Sequence, residues 1–191
     1  MPKRWILAVA LPMLLLLQAC VPAVVGGAAV GAGVAHDRRT VGSIIDDENI
    51  EIKTAIKISQ DKGLKDLVHV NVISMNGVVL LTGEASTTEA RDQVLTHARS
   101  VNGVRRITNE LRISEPSSYG SRSRDSLITS AVKSRFLVTK DLDPSRIKVV
   151  TEANVVYLMG LVTQAEGDLA AERAATIEGV ERIVKVFEYI D

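Results

Sequence analysis

The chain has 191 residues, 23 basic against 23 acidic side chains, 46% hydrophobic residues, one Trp, three Tyr, two Phe and a single cysteine. That length suits one ordinary domain or two small ones. One cysteine excludes an internal disulfide, and the balanced charge excludes a globally basic nucleic-acid binder.

Lys3 and Arg4 precede an apolar run over residues 5–17 that Pro12 interrupts, and Leu17-Gln18-Ala19-Cys20 follows. The run is too short to cross a bilayer, so residues 1–19 read as a secretory signal. The residues at the cut resemble the lipobox of bacterial lipoproteins: an aliphatic residue, a tolerant position, a small residue, then cysteine. That resemblance implies diacylglycerol on the Cys20 sulfur, cleavage before it and acylation of the new amino terminus. Stable anchoring needs about two acyl chains, and such a cysteine supplies more. Val21, in place of Asp, implies onward sorting to the outer membrane. The competing reading is an ordinary secreted protein with an incidental cysteine. Cleavage removes two of the 23 basic residues and none of the 23 acids, for a mature net charge of −2. Residues 21–35 are nearly all Val, Ala and Gly, and the stretch 20–43 reads as a lipidated flexible tether. A membrane-surface segment is the other reading of 21–35.

The remainder is an internal repeat. His69-Val70-Asn71-Val72-Ile73 returns as Arg146-Ile147-Lys148-Val149-Val150, and Val78-Val79-Leu80-Leu81-Thr82-Gly83 as Val155-Val156-Tyr157-Leu158-Met159-Gly160. Val101-Asn102-Gly103-Val104 returns as Ile177-Glu178-Gly179-Val180. Three blocks in one order define two copies. Each predicts a helix (46–60 and 124–138), then two strands across a turn at Asn76-Gly77 or Ala153-Asn154. Gly83 and Gly160 are expected to end the second strand. Ser86-Thr87-Thr88-Glu89 and Thr163-Gln164-Ala165-Glu166 read as capping boxes opening a second helix, and Gly103 and Gly179 as its left-handed stop. A last strand covers 104–113 and 180–190. The fold class is α+β, with α-β-β-α-β twice, each three-stranded sheet burying one face beneath two helices. The domains run 44–113 and 124–191, joined by a linker over 114–123.

This arrangement resembles the BON domain, on the apolar positions of each first helix (Ile50, Ile58; Ile128, Val132, Phe136), the strands carrying Gly83 and Gly160, and the Gly-Val pairs at 103–104 and 179–180. A lipobox followed by two such domains resembles the dual-BON lipoproteins of bacterial outer membranes. The resemblance implies a non-enzymatic role in envelope integrity, a periplasm-facing position enriched at the division site, and an anionic phospholipid membrane as partner. It also implies that the first helix of the second domain touches lipid through an aromatic residue, whose place Leu127 takes here.

Charge patterning points to the same helix. Residues 46–58 carry Asp46, Asp47, Glu48 and Glu51 against Lys53 and Lys57, whereas 122–138 carry Arg122, Arg124, Lys133 and Arg135 against Asp125 alone. Basic residues near an anionic surface contribute about 1 kcal/mol each. The expected lipid-binding set is Arg124, Leu127, Ile128, Ala131, Lys133, Ser134 and Arg135, with Ile128, Val132 and Phe136 facing the core. On the other reading, Leu127 packs between the two domains. The rival function is a periplasmic adaptor for an envelope assembly or cell-division factor.

His36, His69 and His97 lie apart from one another, with no carboxylate or cysteine at metal-ligand spacing. Gly31-Ala32-Gly33 follows no strand and fails as a dinucleotide loop. The acids at 46–48 read as a charge cluster at a helix N-terminus. No catalytic residue, metal or cofactor is expected, and no nucleic-acid partner.

Overall fold

Thr40 starts the first helix. Its Oγ1 accepts from the Ser43 N–H at 3.1 Å, and α1 runs Val41–Gln60 with Asp47, Ile50, Thr54 and Ile58 as its buried stripe. The structure, a computed structural model, describes residues 37–115 and 119–190, with side chains from Ser123 onward in the second stretch. The signal segment, Cys20, His36 and the tether up to residue 36 lie outside the described residues.

Strands β1 (Val68–Met75) and β2 (Val78–Ala85) pair antiparallel. Asn76 and Gly77 join them with φ of 51° and 73°, the left-handed pair that a two-residue hairpin turn requires. Helix α2 (Thr88–Arg99) returns the chain, and β3 (Arg106–Ile113) pairs parallel to β2, giving the order β1-β2-β3. The second repeat follows suit with α3 (Tyr119–Leu137), β4 (Ile147–Glu152), β5 (Val155–Val162), α4 (Gln164–Ala175) and β6 (Arg182–Tyr189), in the order β4-β5-β6. The α-β-β-α-β order expected from the repeat is present twice.

Several local expectations shift. The first helices begin earlier than read, at Val41 and Tyr119, which shortens both the expected tether and the expected linker. Thr163 and Glu166 form a reciprocal capping box, but in the first repeat the cap is Thr87, which accepts from Ala90 N–H, so Ser86 and Glu89 do not form the expected box. Gly103 and Gly179 lie beyond the helix ends, in the loops leading to β3 and β6, with Ser100 and Thr176 as the actual caps. Gly83 and Gly160 lie inside their strands and do not end them. A side chain at Gly83 would collide with the His69 carbonyl, and one at Gly160 would stand 2.6 Å from the Arg146 carbonyl.

The largest departure concerns the sheets, which bury both faces. Along β2, Val79, Leu81 and Ala85 join Ile50, Ile58, Val94 and Ala98 in a helix-side core. Along β5, Val156, Leu158 and Val162 do the same with Ile128, Val132 and Phe136. The alternate residues form a third core: Ile73, Met75, Val78 and Leu80 pack on Tyr157, Met159 and Val186. The period of two makes this possible, because successive side chains leave opposite faces of a strand. Each copy alone is marginal in size, and face-to-face packing removes further apolar surface at about 25 cal/mol per Å². Polar pairs edge this third core: Asn71 donates to Glu152 at 2.6 Å, Lys148 to Glu51 at 2.6 Å, and Arg182 to Glu110 at 3.3 Å.

A candidate membrane-contact helix

Each first helix is pinned to its own hairpin by one buried aspartate. Asp47 accepts from Ser74 Oγ at 2.6 Å, Asn76 N–H at 2.7 Å and Gly77 N–H at 2.8 Å. Burial pushes this carboxyl up, but those donors and the Arg39 guanidinium outweigh it and hold the group below its ordinary value. Asp125 accepts from Ala153 and Asn154 N–H, both at 2.9 Å. Asp47 and Asp125 are therefore structural anchors, and the reading of 46–48 as a charge cluster at a helix N-terminus is corrected: Asp47 lies in the second turn, 3% exposed.

These anchors set which face of α3 looks outward. Ile128, Val132 and Phe136 are buried in the helix-side core. Ile128 is 4% exposed, so it supports the helix from within and does not belong to the contact surface expected for it. Leu127 is 72% exposed and is not sealed between the repeats. At about 100° per residue, Leu127, Ala131 and Ser134 fall within one arc, with Arg124 and Arg135 on one flank, whereas Lys133 lies about 120° from Leu127, off this face. All of these are exposed. Among the described residues, Arg124, Lys133 and Arg135 make no ion pair.

Sequence reasoning missed the far end of this face. Leu137 and Val138 are 72% and 79% exposed, about 16 Å along the axis from Leu127 at about 1.5 Å per residue. Their place straight after the core residue Phe136 was the available signal. A hollow of about 540 Å³ beside the helix has Arg124, Leu127 and Ala131 on one wall, Glu178 and Glu181 on the other. Glu178 and Glu181 thus stand across this hollow from Arg124 and Leu127 and offset part of the positive charge on that side of the helix.

The first repeat serves as a control on charge. On α1, Asp47 is internal and Glu51 is occupied, accepting from Ser74 N–H at 2.7 Å and from Lys148. Its remaining charges are Asp46 and Glu48 against Lys53 and Lys57, which cancel. On α3, Asp125 is internal and three cations remain among the residues whose side chains are described. The difference read from sequence thus persists in what solvent can see.

His97 meets a carboxylate, with Nε2 2.7 Å from Asp61 Oδ2, and the bond from His97 together with the Gly63 N–H lowers the Asp61 carboxyl below its ordinary value. Asp61 also ends α1 through its own N–H to Ile58 O, so the pair ties α1 to α2. Among the described residues no helix is long and apolar enough to cross a membrane, and no group of three or more His, Cys, Asp or Glu could hold a metal ion.

Comparison with known proteins supplies the family. The model of the BON domain matches residues 46–115 and 124–191. The chain is 40% identical over 185 residues to the outer membrane lipoprotein DolP of Haemophilus influenzae, covering 97% of this chain and 96% of that protein. It is 38% identical over 154 residues to a 21 kDa hemolysin of Actinobacillus pleuropneumoniae, covering 81% and 79%. It is 28% identical over 157 residues to the osmotically-inducible protein Y of Escherichia coli, covering 80% and 77%.

Proposed function

The chain belongs to the BON domain family, and from that premise we propose that it is a non-enzymatic outer-membrane lipoprotein that reads anionic phospholipid through α3. Cys20 carries the lipid anchor, the two repeats face the periplasm, and the protein supports envelope integrity, enriched at the division site. The similarity to an outer membrane lipoprotein over nearly the whole chain supports the anchor and the compartment.

The observation that carries lipid reading is Leu127, 72% exposed on a helix whose Arg124 and Arg135 make no ion pair among the described residues. Arg124 and Arg135 on that face contribute about 2 kcal/mol at an anionic surface, which alone gives weak binding. Leucine adds shallow apolar insertion, and without an aromatic ring it lacks the preference for the headgroup level. Weak contacts suffice for a tethered domain, because the anchor turns the second contact into an intramolecular one. The residues from 21 to 36 reach at most about 55 Å, which keeps α3 close to the leaflet that holds Cys20.

The test is co-sedimentation of residues 37–191 with phosphatidylcholine vesicles, with and without phosphatidylglycerol. The reading expects binding only with the anionic lipid, falling steeply as salt rises from 50 to 300 mM, about the range over which screening sets in. Binding that ignores salt and headgroup charge contradicts it.

A further inference from the structure

The two repeats meet through equivalent positions, yet one half of that contact is filled and the other is hollow. The internal repeat matches Asp47 to Asp125, Glu51 to Thr129, Asn71 to Lys148, and Ser74-Met75 to Thr151-Glu152. In one half, Lys148 of β4 reaches across to α1. Its Nζ donates to Glu51 Oε1 at 2.6 Å and to the Ser74 carbonyl at 3.5 Å. In the other half the crossing residue is Asn71, and the helix offers Thr129 where α1 has Glu51. Between β1, α3 and β4 an open hollow of about 580 Å³ stands there, with Asn71, Thr129 and Glu152 on its walls. Two short side chains occupy the positions that hold two long ones in the first half, which is why there is room.

Glu152 gives the hollow a chemical preference. It is 5% exposed, and Asn71 donates to its Oε2 at 2.6 Å. Burial raises its carboxyl above the ordinary value; the Asn71 bond opposes this, and the neighbouring Glu84 and Asp125 add to it. Those two acids are provided for. Glu84 has the Arg112 guanidinium at 2.6 Å, and Asp125 uses both oxygens on the Ala153 and Asn154 N–H groups. Among the described residues, no Lys or Arg forms an ion pair with Glu152. A buried carboxylate without a counter-charge is costly, and a cation entering the hollow removes that cost.

We propose that this hollow binds a primary alkylammonium group, seated against Glu152 as the Lys148 ammonium is seated against Glu51. Thr129 Oγ1 donates to Thr151 Oγ1 at 2.7 Å and keeps a lone pair for the ammonium. The Thr151 carbonyl holds the place of the Ser74 carbonyl that Lys148 reaches. A metal ion suits the hollow less, because among the described residues no three His, Cys, Asp or Glu gather to hold one. Leu127 is not on its walls, so the site is separate from the lipid-reading face of α3.

The experiment titrates n-butylamine, an ammonium at about pH 7, into the full lipidated chain in neutral phosphatidylcholine vesicles, where α3 has no anionic headgroup to read. Saturation-transfer NMR is expected to show saturable binding with a dissociation constant on the order of 1 mM, and none for n-butanol. Glu152→Gln keeps the size and the acceptor for Asn71 but removes the charge, and is expected to weaken binding about tenfold or more. Asn71→Lys, at an exposed position, fills the hollow with an ammonium from within and should abolish binding. Circular dichroism checks that each variant is folded. An absence of saturable binding overturns the proposal, as does equal binding of n-butanol or an affinity that either variant leaves unchanged. Adding phosphatidylethanolamine to the vesicles separates two sources of the group: competition with n-butylamine assigns it to a lipid headgroup, and an unchanged affinity assigns it to a soluble amine.

Discussion

Arg38 and Arg39 are neighbours in the chain, yet they hold carboxylates of different repeats. Arg38 Nη1 lies 2.6 Å from Glu166 Oε2 at the start of α4, and Arg39 Nη1 lies 2.9 Å from Asp47 Oδ2 in α1. The segment entering α1 is thus fastened to both domains from Asp37 onward, where sequence patterning suggested a flexible tether to residue 43. Arg39→Ala is expected to cost about 2 kcal/mol, less than a full buried-pair break because Asp47 keeps its hydroxyl and N–H donors. Arg38→Ala, at a more exposed pair, is expected to cost about 1 kcal/mol. Urea unfolding of residues 37–191 measures both.

Glu166 makes stability sensitive to acid. Burial raises its carboxyl, but bonds from Arg38, the Thr163 N–H and Arg146 outweigh that and hold it at about 2, below the ordinary 4.5. A depressed folded-state value means the contribution is complete above pH 4.5 and is lost as pH falls from there through 2. The loss over that window is about 2–3 kcal/mol. Glu166→Gln should lower stability at pH 7 and flatten the dependence between pH 5 and about pH 2. An unchanged acid profile in that variant contradicts the assignment.

The hairpin of the second repeat holds stored strain. Ala153 has φ of 48°, and a left-handed non-glycine backbone costs about 1–2 kcal/mol. Asp125 compensates by accepting the Ala153 and Asn154 N–H groups. Ala153→Gly should therefore stabilise the chain by about 0.5–1 kcal/mol, and Asp125→Ala should destabilise it by about 2–3 kcal/mol. Thermal unfolding at constant pH reads both signs.

The sheet-to-sheet core predicts that the repeats unfold together. Leu80 and Met159 are fully buried in it. Leu80→Ala should cost about 2–5 kcal/mol with a single transition retained. Leu80→Asp, which buries an unpaired charge between the sheets, should split unfolding into two transitions in calorimetry. Two transitions already present in the unmutated chain contradict this account of the core.

Much of the fold was legible because each signal is local. Capping residues, the Asn76-Gly77 turn and the helical spacing of Ile50 and Ile58 depend on neighbours a few positions away. The third core was misread because three strands under two helices seemed complete. Yet the unbroken run Val78-Val79-Leu80-Leu81 has the pattern of a strand buried on both faces. The cap at Thr87 was displaced because Ser86, Thr87 and Thr88 are all competent caps, and only the chain's approach decides among them. Asp47 and Asp125 were not recognised as anchors, since their partners are backbone N–H groups roughly thirty residues away. At the candidate site, spacing put Leu127 beside the core stripe of α3 but left open whether it met solvent or the other repeat, and its 72% exposure settles that it meets solvent. The exposure of Leu137 and Val138 depended on where α3 stops, which spacing alone left open.

The most direct measurement places a fluorophore at the proposed point of contact. The only native tryptophan is Trp5, so residues 37–191 contain none, and Leu127→Trp introduces a single one. With vesicles containing phosphatidylglycerol, its emission should shift to the blue and be quenched by brominated acyl chains, with both effects absent for phosphatidylcholine alone and weakened by salt. An emission spectrum that stays unshifted and unquenched on anionic vesicles contradicts lipid reading by α3.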